Sequence, residues 1–112
     1  MTVRIPGYKR VQDPRSIMWL EGTGNYTYIH LASHGHPLLV SMTLKYFEDM
    51  LPRFLRVSKS SLVNPLYIDE IVKLTPKALQ LLLKDGTTIS VSRRRISETI
   101  ALLDGITAAA AH

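Results

Sequence analysis

The sequence predicts a mostly β domain with some α elements: small antiparallel sheets and hairpins packed together, with one short central helix and a C-terminal helix. Three observations carry this. Residues 16–32 form two runs rich in β-branched and aromatic side chains about a glycine-rich turn. Asp85-Gly86 lies between two further strand-like runs and is the strongest hairpin signal in the chain. Helical spacing of apolar residues occurs in only two places, around Leu44 and around Ile96.

In order, Ser16–Glu21 and Asn25–Ala32 read as strands, with Gly22-Thr23-Gly24 as their turn. Tyr26, Tyr28 and His30 alternate with Thr27, Ile29 and Leu31, so the two sets point to opposite faces. Ser33-His34-Gly35 is a turn from which Pro37–Ser41 returns as a short strand, giving a first sheet of three strands. Thr43 suits the cap of a short helix that carries Leu44, Phe47 and Leu51 on one face. Pro52 ends it, because the residue before a proline is pushed out of the helical region. Phe54–Ser58 is extended, and the stretch from Lys59 to Pro65 closes on an Asn-Pro turn. Tyr67–Leu74 and Ala78–Lys84 are strands across Thr75-Pro76-Lys77, and Asp85-Gly86 leads into Thr88–Ser92. The last helix opens near Ser92, carries Ile96, Ile100 and Leu103 on one stripe, and stops at Asp104-Gly105. One domain is expected at 16–105, between a lead-in at 1–15 and a loose tail at 106–112.

A chain of 112 residues suits one core. No apolar run approaches the ~18 residues of a membrane span, and Met1–Arg15 contains no stretch like that of a secretory signal, so the expected location is the cytoplasm with no membrane partner. The lack of cysteine rules out disulfides, thiol nucleophiles and cysteine-ligated zinc.

Fourteen Lys and Arg against nine Asp and Glu give a formal charge of +5. Between Leu51 and Ile68 stand Arg53, Arg56 and Lys59 with no acid, and Arg93-Arg94-Arg95 form a second block. Such segregation focuses positive potential onto a polyanion. The second block also breaks a local rule. If the helix starts at Ser92, three cations sit where the backbone amides already carry partial positive charge, each unfavourable by ~0.3–1 kcal/mol. The conflict disappears when an anion is bound, since free amides and guanidinium groups together receive a phosphate or a base edge. If instead the helix starts at Ile96 or Ser97, the arginines form an open basic loop.

Enzyme chemistry has no constellation to rest on. Ser58, Ser60 and Ser61 have no adjacent base, and neither a phosphate-binding glycine loop nor a zinc-hydrolase motif is present. No catalytic residue, cofactor or small-molecule substrate is expected. His30, His34 and His36 cluster in sequence but form no closed ligand set, so no metal is expected either.

Several segments, in order, resemble the LytTR family of DNA-binding domains found in bacterial transcription and response regulators. They are Ile17-Met18-Trp19-Leu20-Glu21 with Gly24-Asn25-Tyr26-Thr27, and Thr43-Leu44-Lys45 through Met50-Leu51-Pro52. Phe54-Leu55-Arg56-Val57, Ser60-Ser61-Leu62-Val63-Asn64, Ile68–Ile71, Asp85-Gly86 and Val91-Ser92-Arg93-Arg94 complete the series. The resemblance implies a regulator that binds double-stranded DNA by loops inserted into successive major grooves, usually as pairs on direct repeats, with a homodimer formed on the DNA. The implied contacts are Asn25 and Tyr26, the loop Ser58-Lys59-Ser60, and Arg93 with Arg94. The family commonly has histidine-arginine before its serine and an aromatic after it, where this chain has Ser58-Lys59 and Ser61. Lysine offers a point charge in place of a bidentate fork, so a shifted recognition sequence follows. Family members often carry a receiver or a sensor ahead of this domain. About fifteen residues precede it here, as in a stand-alone regulator or an excised domain.

Arg93 suits a bidentate contact to guanine, the commonest specific pairing in the major groove. Arg94 contacts DNA in a manner left open, and Arg95 is unassigned. Lys59, Ser58 and Ser60 suit phosphates, which fix register without reading bases. Tyr26 either reaches the DNA or packs in its sheet. Asn25 and Asn64 suit turns through asparagine's tolerance of the left-handed conformation, with Asn64 also tying down its neighbouring loop. The alternative class is a protein-interaction or self-association module using exposed sheet edges. RNA binding ranks lower, since the paired aromatics of single-strand readers are missing.

Overall fold

The apolar run Ile17-Met18-Trp19-Leu20 is buried at every position, as in a strand covered on both faces. In the computed structural model, which describes residues 2–8, 11–33 and 35–110, this run begins strand β3 (Ile17–Thr23). The chain divides into two compact units, Met1–Tyr67 and Ile68–His112.

In the first unit, β1 (Val3–Arg4) pairs with β2 (Val11–Gln12), and the lead-in places Val3 and Ile5 in the core. Strand β3 pairs antiparallel with β4 (Tyr26–Leu31), and Thr23 faces Tyr26 across a two-residue turn. That turn is Gly24-Asn25, where the sequence predicts Gly22-Thr23-Gly24. Gly24 has φ +60 and no described non-glycine residue has positive φ, so Asn25 does not take the left-handed conformation expected of it. A positive φ at glycine followed by a negative one is the type II′ pattern, whose twist suits a hairpin and lets both strands pair to their ends. Gly22 stays in the strand for a different reason. A Cβ there would lie 3.0 Å from the Cβ of Leu44, in space the helix already fills.

The alternation in β4 is as the sequence predicts, with Thr27, Ile29 and Leu31 buried and Tyr26, Tyr28 and His30 on the other face. Thr27 is satisfied in the core by donating to the Met42 carbonyl at 2.7 Å. Strand β5 (Leu38–Val40) covers the outer edge of β4. The sheet does not stop at three strands. Its order is β5-β4-β3-β7-β6, adding β6 (Leu55–Ser58) and β7 (Ser61–Val63). Strand β7 pairs with the free edge of β3, Trp19 facing Val63 and Glu21 facing Ser61. Three residues are too few to display an alternation, so the pairing emerges only when β3 supplies an edge.

Helix α1 (Leu44–Met50) is capped by Thr43, which accepts from the Tyr46 amide, and ends before Pro52. Leu44, Phe47 and Leu51 pack with Ile17, Leu20, Ile29 and Leu62 in a helix-on-sheet core. Asn64, 3% exposed, is a buried clamp: its Nδ2 donates to the carbonyls of Ile17 at 2.9 Å and Pro14 at 3.3 Å, and its Oδ1 accepts from the Leu66 amide. Tying down its loop is as expected, but side-chain hydrogen bonds do it, without a left-handed backbone.

In the second unit, β8 (Ile68–Thr75), β9 (Ala78–Leu83) and β10 (Thr88–Val91) form a meander of order β10-β9-β8. Leu79, Leu81 and Leu83 of β9 and Ile89 and Val91 of β10 are buried at period two. Asp85 closes the β9–β10 loop by accepting from the amide and the hydroxyl of Thr87. A 3₁₀ turn, Arg93–Arg95, then runs into α2 (Ile96–Ala110). Helix α2 does not stop at Asp104-Gly105, and 106–110 are helical where the sequence predicts a loose tail. An interior glycine costs only ~1 kcal/mol relative to alanine, and the alanines that follow are the best helix formers. Ile96 and Leu103 are buried as predicted, whereas Ile100 is half-buried and Thr99 takes the inward place. No helix among the described residues is long and apolar enough to cross a membrane.

Two stability tests follow. Asn64→Ala strands the buried Ile17 carbonyl, worth ~1–3 kcal/mol, and also loses the part-buried bond to the Leu66 amide, so it is expected to lower urea-unfolding stability by ~1–3 kcal/mol. Gly22→Ala forces α1 away from β3 and is expected to cost ~1–3 kcal/mol by the same measurement.

Candidate nucleic-acid interface

The pairing of β3 along both edges decides where two of the sequence-predicted loops go. Gly22 faces Thr27 on one side, and its amide donates to the Ser60 carbonyl at 2.9 Å on the other. The Gly24-Asn25 turn and the Lys59-Ser60 link therefore emerge at the same end of the five-stranded sheet. Asn25, Lys59 and Ser60 are exposed there, Tyr26 is 48% exposed on the outer face of β4, and Ser58 is half-buried. The Ser58 hydroxyl accepts from the Ser60 amide at 3.2 Å, so this side chain serves the loop's own shape.

The ladder between β6 and β7 is irregular at Arg56/Ser58, and the guanidinium of Arg56 lies against that irregularity. Its Nε donates to the Ser58 carbonyl at 2.7 Å and its Nη2 to the Lys59 carbonyl at 2.8 Å. Nη1 donates to Glu48 Oε1 of α1, also at 2.8 Å. The Arg56 side chain is 15% exposed. The acid-free stretch seen in the sequence is thus two different things in space. Arg56 has an acid partner from eight residues upstream, whereas no described residue pairs with the Lys59 ammonium. Sequence reasoning counted Arg56 as basic charge and as part of the Phe54-Leu55-Arg56-Val57 segment of the family resemblance, and gave it no contact to make. Its place between apolar Leu55 and Val57, both buried, was a signal of a structural role.

In the second unit, the arginine block is neither the first turn of an α-helix nor an open loop. The Arg95 amide donates to the Ser92 carbonyl at 2.9 Å and the Ile96 amide to that of Arg93, so the block is a 3₁₀ turn continuous with α2. Three residues per turn send successive side chains about 120° apart. Accordingly Arg93 and Arg94 are exposed, while Arg95 is half-buried and has a partner of its own. The Ser92 side chain makes no capping bond. Cationic side chains thus crowd the positive end of the helix macrodipole, and no described acid pairs with Arg93 or Arg94.

The histidines separate as well. The His30 ring stacks on Trp19 with centroids 4.4 Å apart and planes 2° from parallel, and its Nε2 lies 3.4 Å from Glu21 Oε1. His36 is exposed, and His34 lies outside the described residues. No group of ligating side chains among the described residues could hold a metal ion.

Residues 9–104 match the family described as the LytTr DNA-binding domain. Over 78 residues, 68% of this chain, the sequence is 37% identical to the sensory transduction protein LytT of Bacillus subtilis (strain 168), and that stretch spans 32% of the relative's length. The fold is shared with the LytTr DNA-binding domain of a putative methyl-accepting/DNA response regulator from Bacillus cereus, at a TM-score of 0.74 and 24% identity, over 92% of this chain and 94% of that one. With nearly all of its length matched by a family of DNA-binding domains and not of enzymes, the chain belongs to the LytTr DNA-binding domain family.

Proposed function

We propose that this chain is a transcription regulator that reads double-stranded DNA sequence-specifically, through loops inserted into the major groove, and binds direct repeats as a pair of copies. The observation that carries the reading is the pair of exposed arginines at the start of α2, which no described acid neutralises. A site of this kind, cationic side chains beside a helix N-terminus, is stabilised by a bound polyanion, with Glu98 the one acid in the first turn of α2.

Within this reading Arg93 contacts a guanine edge and Arg94 a neighbouring base or phosphate. Lys59 and Ser60 bind phosphates and set register, while Ser58 orders their loop. Tyr26, on an exposed strand face, reaches the sugar-phosphate backbone or stacks beside it, and Asn25 stands at the tip of its turn. Residues 16–105 form the DNA-binding portion.

Selection from a random duplex pool, followed by fluorescence anisotropy, tests this. A recovered repeat is expected to bind with a Kd of about 10⁻⁸ M or below, against ~10⁻⁴–10⁻⁶ M for unrelated duplexes. Equal weak binding to every duplex would contradict sequence-specific reading. Arg93→Ala is expected to weaken the preferred duplex by ~1–3 kcal/mol and flatten its advantage. Lys59→Ala should weaken all duplexes alike and reduce the log-log salt slope by about one. Light scattering should show two copies on a duplex with two repeats and one copy on a single repeat.

A further inference from the structure

We infer that Arg56 and Glu48 are a positioning pair: without touching DNA, they hold the Ser58-Lys59-Ser60 loop in the shape whose phosphate contacts set the register in which bases are read. Losing this shape, unlike losing the Lys59 charge alone, costs sequence preference. The inference rests on the reading that this loop meets DNA. Three consecutive loop carbonyls are tied down, Ser58 and Lys59 by the Arg56 guanidinium and Ser60 by the Gly22 amide. With their oxygens held inward, a polyanion approaching the loop meets the Lys59 ammonium and the Ser60 side chain, not carbonyl dipoles of the wrong sign.

The chemistry calls for arginine in particular. Nε and Nη2 satisfy two successive carbonyls while Nη1 takes the carboxylate, a use of the planar fork that a lysine ammonium cannot reproduce. Low exposure strengthens the part-buried bonds to Glu48 and the Ser58 carbonyl, and with Nε, Nη1 and Nη2 all engaged the guanidinium is committed to the protein's own acceptors. Glu48 in turn is a rigid anchor. It adjoins Phe47, which is 1% exposed, so the core fixes the helix, the helix fixes the carboxylate, and the carboxylate fixes the guanidinium. A loop held this way before binding does not lose its conformational freedom at the interface.

The test uses the full chain, the duplex recovered by selection and a shuffled duplex of equal length, with Arg56→Gln, Arg56→Lys and Glu48→Gln. Thermal unfolding followed by the emission of Trp19, the single tryptophan, reports the folded fraction. Arg56→Gln and Arg56→Lys are both expected to lose ~10- to 100-fold in affinity for the selected duplex, as freeing one or two loop residues would cause. Binding to the shuffled duplex should change less than about 3-fold, and the salt slope should stay within about half a unit, since no phosphate contact is removed. Glu48→Gln removes a negative charge, which by electrostatics alone would tighten binding to every duplex. A fall in preference for the selected duplex is expected instead, and this variant keeps the inference testable if Arg56→Gln does not fold.

A salt slope lower by about one in Arg56→Gln, or full retention of affinity in Arg56→Lys, would make Arg56 a phosphate contact and overturn the inference. Equal losses on both duplexes, matching the loss of folded protein, would reduce the pair to a fold support and also overturn it. If the wild-type chain shows no preference among duplexes, the DNA reading itself fails. If it discriminates and the three variants discriminate equally, only the positioning pair fails.

Discussion

Strand β3 is hydrogen-bonded along both edges, and the rest of the first unit is arranged around that double pairing. One edge takes β4 and the other takes β7, so the turn following β3 and the link preceding β7 must leave the sheet at the same end. The pairing is held at its other end by Asn64, whose side chain bridges the Ile17 carbonyl and the Leu66 amide. Helix α1 lies so close to β3 that a Cβ at position 22 would stand 3.0 Å from that of Leu44, tighter than an ordinary contact. A strand whose first four residues are buried, clamped at its start and crossed by a helix near its end, has little freedom to shift register, and both loops inherit that rigidity.

Loop rigidity bears directly on the proposal that this DNA-binding domain meets its duplex through loops. A recognition helix arrives with its backbone hydrogen bonds made, whereas a loop must find partners for its carbonyls elsewhere. In the first unit those partners are Arg56 and Gly22; in the second, the 3₁₀ bonds from Arg95 and Ile96 back to Ser92 and Arg93 do the same. Exposed cations thus project from backbone that is already satisfied.

Positive charge is accordingly of two kinds in this chain. Arg15, Lys45 and Arg56 are matched with Asp13, Asp49 and Glu48, and the Asp13–Arg15 contact holds the Asp13 carboxyl down at about 2. Lys59, Arg93 and Arg94 are exposed without a described acid beside them. Net charge alone cannot make this division. Lys59, Arg93 and Arg94 are the members of the unmatched set that lie on the loops proposed to meet DNA, whereas Arg4, Arg53, Lys73, Lys77 and Lys84 are exposed elsewhere without a described acid partner.

The sequence by itself determined the mostly β class, the two helices, the face alternation of β4, the capping of α1 by Thr43 and the family. All of these follow from short-range periodicity, turn chemistry or motifs read in order. It placed the first turn two residues early because glycine at 22 and glycine at 24 look alike in sequence, although one makes room for Leu44 and the other turns the chain. Strand β7, the buried role of Asn64 and the Glu48–Arg56–loop connection were decided only by tertiary structure. A three-residue strand exists only beside its partner, a clamp only where its acceptors converge, and an ion pair only where the fold brings the strand of one residue against the helix of the other.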